Sequence, residues 1–166
     1  MSTFVSIGNA HQPFPRLLRE VCRIAPDLPQ PVLVQYGHTP FDCAQCQAKA
    51  FLDMDQFARQ AVAAELLILH AGAGSVIHAI GAGKVPVVMP RRVGLGEHVN
   101  DHQLEFARAL SQAGKIVLVE AVEHLGAAAA EALQRQRAST TPALVRPASK
   151  MVKLVDDALR SYADNK

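Results

Sequence analysis

Leu66-Leu67-Ile68-Leu69-His70-Ala71-Gly72-Ala73-Gly74-Ser75 is the stretch that decides how this chain folds. The run 66–70 is apolar up to its last residue and of strand length, the pattern of a strand buried on both faces of a parallel sheet. The glycines then allow a tight turn. From Ser75 the spacing predicts a helix over 75–82, stopped by Gly83. A strand, a Gly-rich turn and a helix in this order form the core of a βαβ unit.

Working outward, short β-branched runs alternate with longer helical stretches on both sides. Strands are expected over 4–7, 32–36, 49–52, 66–70, 85–89 and 116–119. Helices are expected over 15–25, over 53–63 with Asp53 as cap and Phe57 and Val62 inward, over 101–113 opened by Asp101, and over 121–137. A last amphipathic helix is expected over 149–164, with Met151, Val152, Leu154, Val155, Ala158 and Leu159 on its apolar side. The reading is α/β: a Rossmann-like, doubly wound parallel sheet of about six strands in a domain over 1–137. A linker and C-terminal helix over 138–166 would pack on the domain or on a partner.

The 166 residues suffice for one domain with a substantial core. A formal net charge of +2 with scattered basic residues argues against a nucleic-acid partner. No run approaches the roughly 20 apolar residues that span a bilayer. The opening residues lack a basic segment and enter a strand pattern at once, so no signal peptide is expected. Three cysteines do not suit a secreted disulfide framework, and a cytoplasmic protein is expected.

The chemistry concentrates at the Gly-rich turn. Glycines let a ligand approach bare N–H groups, and the helix N-terminus adds a partial positive charge of about half a unit. Ser75 either caps the helix or donates to a phosphate oxygen. These parts suit a diphosphate at the carboxyl end of a parallel sheet, although a Gly-rich turn also forms without any ligand. A Walker loop is excluded because no Gly-Lys-Ser/Thr follows the spacer. The segment Gly8-Asn9-Ala10-His11 lacks the glycines of a dinucleotide fingerprint.

Three segments carry a more specific likeness: 4–14 (FVSIGNAHQPF), 70–75 (HAGAGS) and 90–105 (PRRVGLGEHVNDHQLE). Together they resemble the family 28 glycosyltransferase C-terminal domain over roughly residues 4–120. The likeness extends to small subunits of bacterial exopolysaccharide and capsule glycosyltransferases, and to the catalytic subunit of the dolichol-linked N-acetylglucosaminyltransferase. The resemblance implies the C-terminal, donor-binding half of a GT-B glycosyltransferase, with a UDP-sugar as donor, inversion at the anomeric carbon and no required metal or other cofactor. It also implies a membrane-anchored partner subunit that binds the acceptor, a polyprenyl-diphosphate-linked saccharide. Peripheral membrane association would then come through that partner. The alternative is a non-catalytic accessory subunit of such a two-component enzyme.

Matched segment by segment, the resemblance implies that Gly8 and Asn9 border the diphosphate, with Asn9 where relatives carry a hydroxyl. Phe51-Leu52 resembles the edge on which the uracil base lies, with the Leu52 backbone reading the ring. Gly72, Gly74 and Ser75 are the phosphate residues. His78 stands where relatives carry a Glu for the ribose hydroxyls, and a neutral imidazole offers only one acceptor. Glu97, His98, Asp101, His102 and Gln103 open the helix that faces the donor sugar. His11 is the in-chain candidate for the general base, set against a loop-packing role. His70 is either a core histidine or a cleft residue. Arg91 and Arg92 neutralise UDP, face the partner, or simply face solvent.

Two other patterns carry less. Cys43-Ala44-Gln45-Cys46 lacks the further ligands of a zinc site and the strand–helix setting of a redox motif, so plain thiols are expected. His98 and His102 have the spacing of a helical metal pair without the intervening Glu of a zinc protease. No metal site is assigned.

Overall fold

A computed structural model of the chain describes residues 2–139. Six strands, β1 (Thr3–Ser6), β2 (Val32–Gln35), β3 (Cys46–Lys49), β4 (Leu66–His70), β5 (Val87–Met89) and β6 (Val117–Leu118), form one sheet in the order β3-β2-β1-β4-β5-β6. Every neighbouring pair is parallel. The order reverses between β1 and β4, and in such sheets a ligand crevice opens at the carboxyl ends beside that switch.

Among the described residues five α-helices cover the two faces: α1 (Pro15–Ile24), α2 (Met54–Ala63), α3 (Ala73–Gly81), α4 (His102–Gln112) and α5 (Leu125–Ala138). The two-residue period of the strands divides the core. Val5, Ile7, Val34, Leu66, Ile68, Val87 and Met89 pack with Leu17, Leu18 and Val21 of α1 and with Leu125 and Ala129 of α5. Phe4, Leu67, Leu69 and Val88 face the other way, onto Phe57 of α2, Val76 and Ala79 of α3, and Ala107 and Leu110 of α4. This is the expected doubly wound sheet.

The element boundaries bring corrections. The third strand is Cys46–Lys49 rather than 49–52, because an edge strand paired on one side and largely exposed needs no apolar pattern. Phe51 and Leu52 lie in the loop beyond it, and Phe51 is exposed. Val62 points outward, since α2 buries Phe57 and Ala61 four residues apart and a fifth step turns to the opposite side. Asp53 does cap α2, in a reciprocal capping box with Gln56. β5 begins only after Pro86, and the Val85 N–H donates instead to Gln136 Oε1 of α5 at 2.9 Å. A short 3-10 turn over Val122–His124 precedes α5, so that helix starts later than expected. The expected helix over 149–164, and all but the start of the 138–166 segment, lie outside the described residues.

The thiol expectation also fails. Cys22 on α1 and Cys43 in the loop before β3 form a disulfide, leaving Cys46 free on β3. The sequence pairing of Cys43 with Cys46 misled because the surface of α1 brings a third cysteine to the loop. Burial raises the pKa of the Cys46 thiol. Among the described residues no helix is long and apolar enough to cross a membrane.

Candidate functional site

A cleft of about 250 Å³ opens at the carboxyl ends of β1 and β4, at the switch in strand order. Ser6, Gly8 and Asn9 form one side, and Gln35, Leu52, Met54 and Phe57 close the side toward β2 and α2. The floor and far side are His70, residues 72–75 and His78. Gly8, Asn9, Leu52, Gly72, Gly74, Ser75 and His78, distant in sequence, therefore share one cavity. No lining residue is charged by type, histidines apart, so fixed dipoles and hydrogen-bond donors set its polarity.

The helix α3 starts at Ala73 with Gly72 in the capping position, and no side chain caps it. Ser75 sits inside the first turn and does not serve as the cap. The first N–H groups of an uncapped helix need acceptors, and the residues that carry them, 73–75, line the cleft. Gly74 has nothing within 4 Å of where a Cβ would stand.

His70 holds the floor. A Cβ at Gly8 would lie 2.5 Å from its ring, and one at Gly72 would overlap Nε2, so the imidazole occupies the space the two glycines leave. Gly8 also has φ +73°, in the left-handed region. Nδ1 lies 3.4 Å from the Ser6 carbonyl, which can only accept, so Nδ1 carries the hydrogen and Nε2 is the acceptor. Burial, with the nearby Arg91 charge, lowers the His70 pKa to about 4. The ring is neutral at neutral pH, both a core residue and a cleft residue.

A polar chain orients Asn9. The Gly8 N–H donates to Ser6 Oγ at 3.3 Å, the Ser6 hydroxyl to Gln35 Oε1 at 2.8 Å, and Gln35 Nε2 to Asn9 Oδ1 at 3.1 Å. The Asn9 carbonyl is thereby occupied and its NH2 remains as donor. Ser6 and Gln35 were missed in the sequence reading. They end β1 and β2, and in the expected strands 4–7 and 32–36 each is the one polar side chain apart from the Tyr36 hydroxyl. His78 meets Phe57 edge to face at 6.0 Å, and its buried Nε2 has no hydrogen-bond partner among the described residues.

The second expected cluster does not line this cavity. Glu97 is buried, and its carboxylate accepts from Arg16 Nε at 2.6 Å, Arg16 Nη2 at 2.9 Å and the Arg92 N–H at 3.0 Å. Both oxygens are occupied by the protein, so Glu97 braces a loop and is not placed to meet a sugar. Asp101 accepts from the Val93 N–H at 3.1 Å instead of capping α4. His98 Nδ1 lies within 3.3 Å of the Asn100 backbone, and His102 lies 3.9 Å from Glu105. Gln103 Oε1 accepts from the Arg91 N–H at 3.1 Å. His11 is exposed, outside the cleft lining, and stacks on His38 at 4.4 Å. Arg91, expected in solvent or at a ligand, is fully buried. Among the described residues no group of three or more His, Cys, Asp or Glu is arranged to hold a metal.

The likeness to known proteins extends over most of the chain. No curated protein sequence matches it. A glycotransferase of kitacinnamycin superposes with a TM-score of 0.59 at 18% identity, covering 96% of this chain and 38% of that one. The glycosyltransferase SnogD from Streptomyces nogalater gives a TM-score of 0.47 at 18% identity, over 94% of this chain and 43% of its own. This chain thus spans about two-fifths of the length of those glycosyltransferases, and the likeness to the first speaks to the fold alone. The family model described as the glycosyltransferase family 28 C-terminal domain matches residues 8–155. With that match spanning most of its length, the chain belongs to the glycosyltransferase family 28 C-terminal domain family.

Proposed function

We propose that this chain binds a UDP-sugar in the cleft between β1 and α3 and is the donor-binding half of an inverting glycosyltransferase. The observation that carries this is the uncapped N-terminus of α3, opening with bare Gly74 into a cavity without fixed negative charge. Backbone N–H groups of the first turn, the Ser75 hydroxyl and the Asn9 NH2 receive the diphosphate. Leu52 edges the base, and the unpartnered His78 Nε2 meets a ribose hydroxyl. The Gln103 NH2, with His98 and His102, faces the sugar once the cleft is completed.

The chemistry is a direct displacement. The acceptor hydroxyl oxygen bonds to the anomeric carbon as the bond to the β-phosphate oxygen breaks, and UDP leaves with the electron pair. The hydroxyl proton passes to a general base. The helix dipole stabilises the charge gathering on the diphosphate. His11 is the in-chain candidate for the base, but its place outside the cleft favours a base supplied by a partner. That partner would be membrane-anchored and hold a polyprenyl-diphosphate-linked saccharide, in the assembly of an exopolysaccharide or capsule.

UDP without divalent metal should raise the melting temperature of the isolated chain. No shift with UDP, UDP-glucose, UDP-galactose, UDP-glucuronate or UDP-N-acetylglucosamine would remove the donor reading. The alternative, an accessory subunit that does not bind donor productively, draws on His11 and the Glu97–Gln103 cluster lying outside the cavity. Transfer by a reconstituted two-protein complex that survives Ser75→Ala, His102→Ala and Gln103→Ala together would favour it.

A further inference from the structure

We infer that Arg91 is a positioning residue for donor binding: its buried guanidinium ties the cleft-lining loop after β1 to the loop after β5 and places a positive charge, offset only in part by Glu97, behind the diphosphate site. This rests on the donor reading above and assigns a role to a residue that touches no ligand.

Arg91 follows β5, and its side chain crosses the end of β4 to reach β1. Nη2 donates to the Ile7 carbonyl at 2.8 Å, and Nη1 to the Gln12 and Glu97 carbonyls at 2.7 and 3.1 Å. Two acceptors thus belong to the segment that carries Gly8 and Asn9, and the third to the segment that leads to Gln103. The Arg91 N–H also fixes the Gln103 amide. The guanidinium carbon lies 4.8 Å from the Phe14 ring centroid, which fills the space beneath it.

Stability alone does not account for this arrangement. Nε has no partner among the described residues, although the side chain is fully buried. A buried charge with an orphan donor carries a desolvation penalty that its carbonyl bonds offset only in part. Glu97, the carboxylate that favours its charge, gives its direct side-chain hydrogen bonds to Arg16 rather than to Arg91. Two guanidiniums against one carboxylate leave one positive charge in excess. That charge is felt in the cleft floor, where it helps keep His70 neutral. Burial lowers the Arg91 pKa to about 10, so the group stays charged at neutral pH.

The test compares wild type, Arg91→Met, Arg91→Lys and, as a control, Arg108→Ala in an exposed pair with Glu120. UDP binding is followed by calorimetry, loop protection by hydrogen exchange, and the His70 imidazole by NMR titration. Arg91→Met should weaken UDP binding by about tenfold or more, the scale of losing one charge at close range. It should also speed exchange in 8–13 and 92–100 together and raise the His70 pKa. Arg91→Lys should keep the His70 pKa low and recover part of the affinity, without restoring loop protection, because an ammonium lacks the fork that spans three carbonyls. Arg108→Ala should change none of these. UDP binding by Arg91→Met within about twofold of wild type, or faster exchange in only one loop, overturns the inference. If Arg91→Met fails to fold, Arg91→Lys decides by the same exchange criterion. If wild type itself does not bind UDP, the donor reading fails, and the paired exchange and His70 titration still judge the tie.

Discussion

Replacing Gly74 by Asp should separate stability from ligand binding, because one carboxylate acts in opposite directions on the two. Gly74 is the second residue of α3, has no positive φ and faces open space. An aspartate fits there without a clash. Near a helix N-terminus a carboxylate contributes about 0.3–1 kcal/mol of stabilisation, and leaving glycine adds a few tenths more at most. The free protein should therefore melt at the wild-type temperature or up to about 4 °C above it. The same carboxylate stands where the diphosphate is proposed to sit. At about 6 Å and an effective dielectric near 20, the repulsion is roughly 3 kcal/mol per unit of phosphate charge, which is more than about a hundredfold in affinity. In a thermal-shift titration UDP at about 100 times its dissociation constant should stabilise wild type by roughly 2.7 kcal/mol, and should leave Gly74→Asp unmoved. Equal UDP shifts in both proteins would refute the placement of the diphosphate. A free Gly74→Asp protein melting well below wild type would refute the open, uncapped helix start.

Gly72→Ala should behave in the opposite manner, destabilising the fold by about 1–3 kcal/mol in denaturant titration, because its Cβ would overlap the His70 ring. The His70 pKa, lowered by burial to about 4, makes stability depend on pH. Above pH 6.5 the imidazole is neutral in both states and its stabilising effect is complete; as pH falls toward 4 only the unfolded chain takes up the proton, and up to roughly 3 kcal/mol is lost. Melting temperatures at pH 7 and pH 4.5 should therefore differ less in His70→Gln than in wild type. Cys22→Ser, which opens the disulfide across a separation of 21 residues, should lower unfolding free energy by about 3 kcal/mol on loop entropy, and an unchanged denaturation midpoint would count against the bond.

The fold was largely legible because the strands are buried on both faces. Leu66–His70 and the segments around Phe4, Val32 and Val87 read as strands from composition alone, and glycines marked the turns. The exception was Cys46–Lys49, whose exposed edge position removes the apolar signal on which the reading depends. At the site, the residues of the Gly8–Asn9 turn and the Gly72–Ser75 turn do meet in one cleft, since both follow neighbouring parallel strands. The Glu97–Gln103 cluster looked uniform as a string of polar residues. In space, each side chain has a different partner, from the Arg16 fork on Glu97 to the Val93 N–H on Asp101.

Local chemistry in the sequence thus determined the alternation of strand and helix, the turns, and a helix start at the Gly-rich turn after β4. Periodicity and glycine placement act over a few residues and need no partner to be read. Only the tertiary structure decided which polar groups are spent inside the protein. Arg91 is buried because carbonyls of Ile7, Gln12 and Glu97 converge on it, and Cys22 meets Cys43 because α1 lies against that loop. Such contacts join residues far apart in the chain, and desolvation acts on each group according to its neighbours in space.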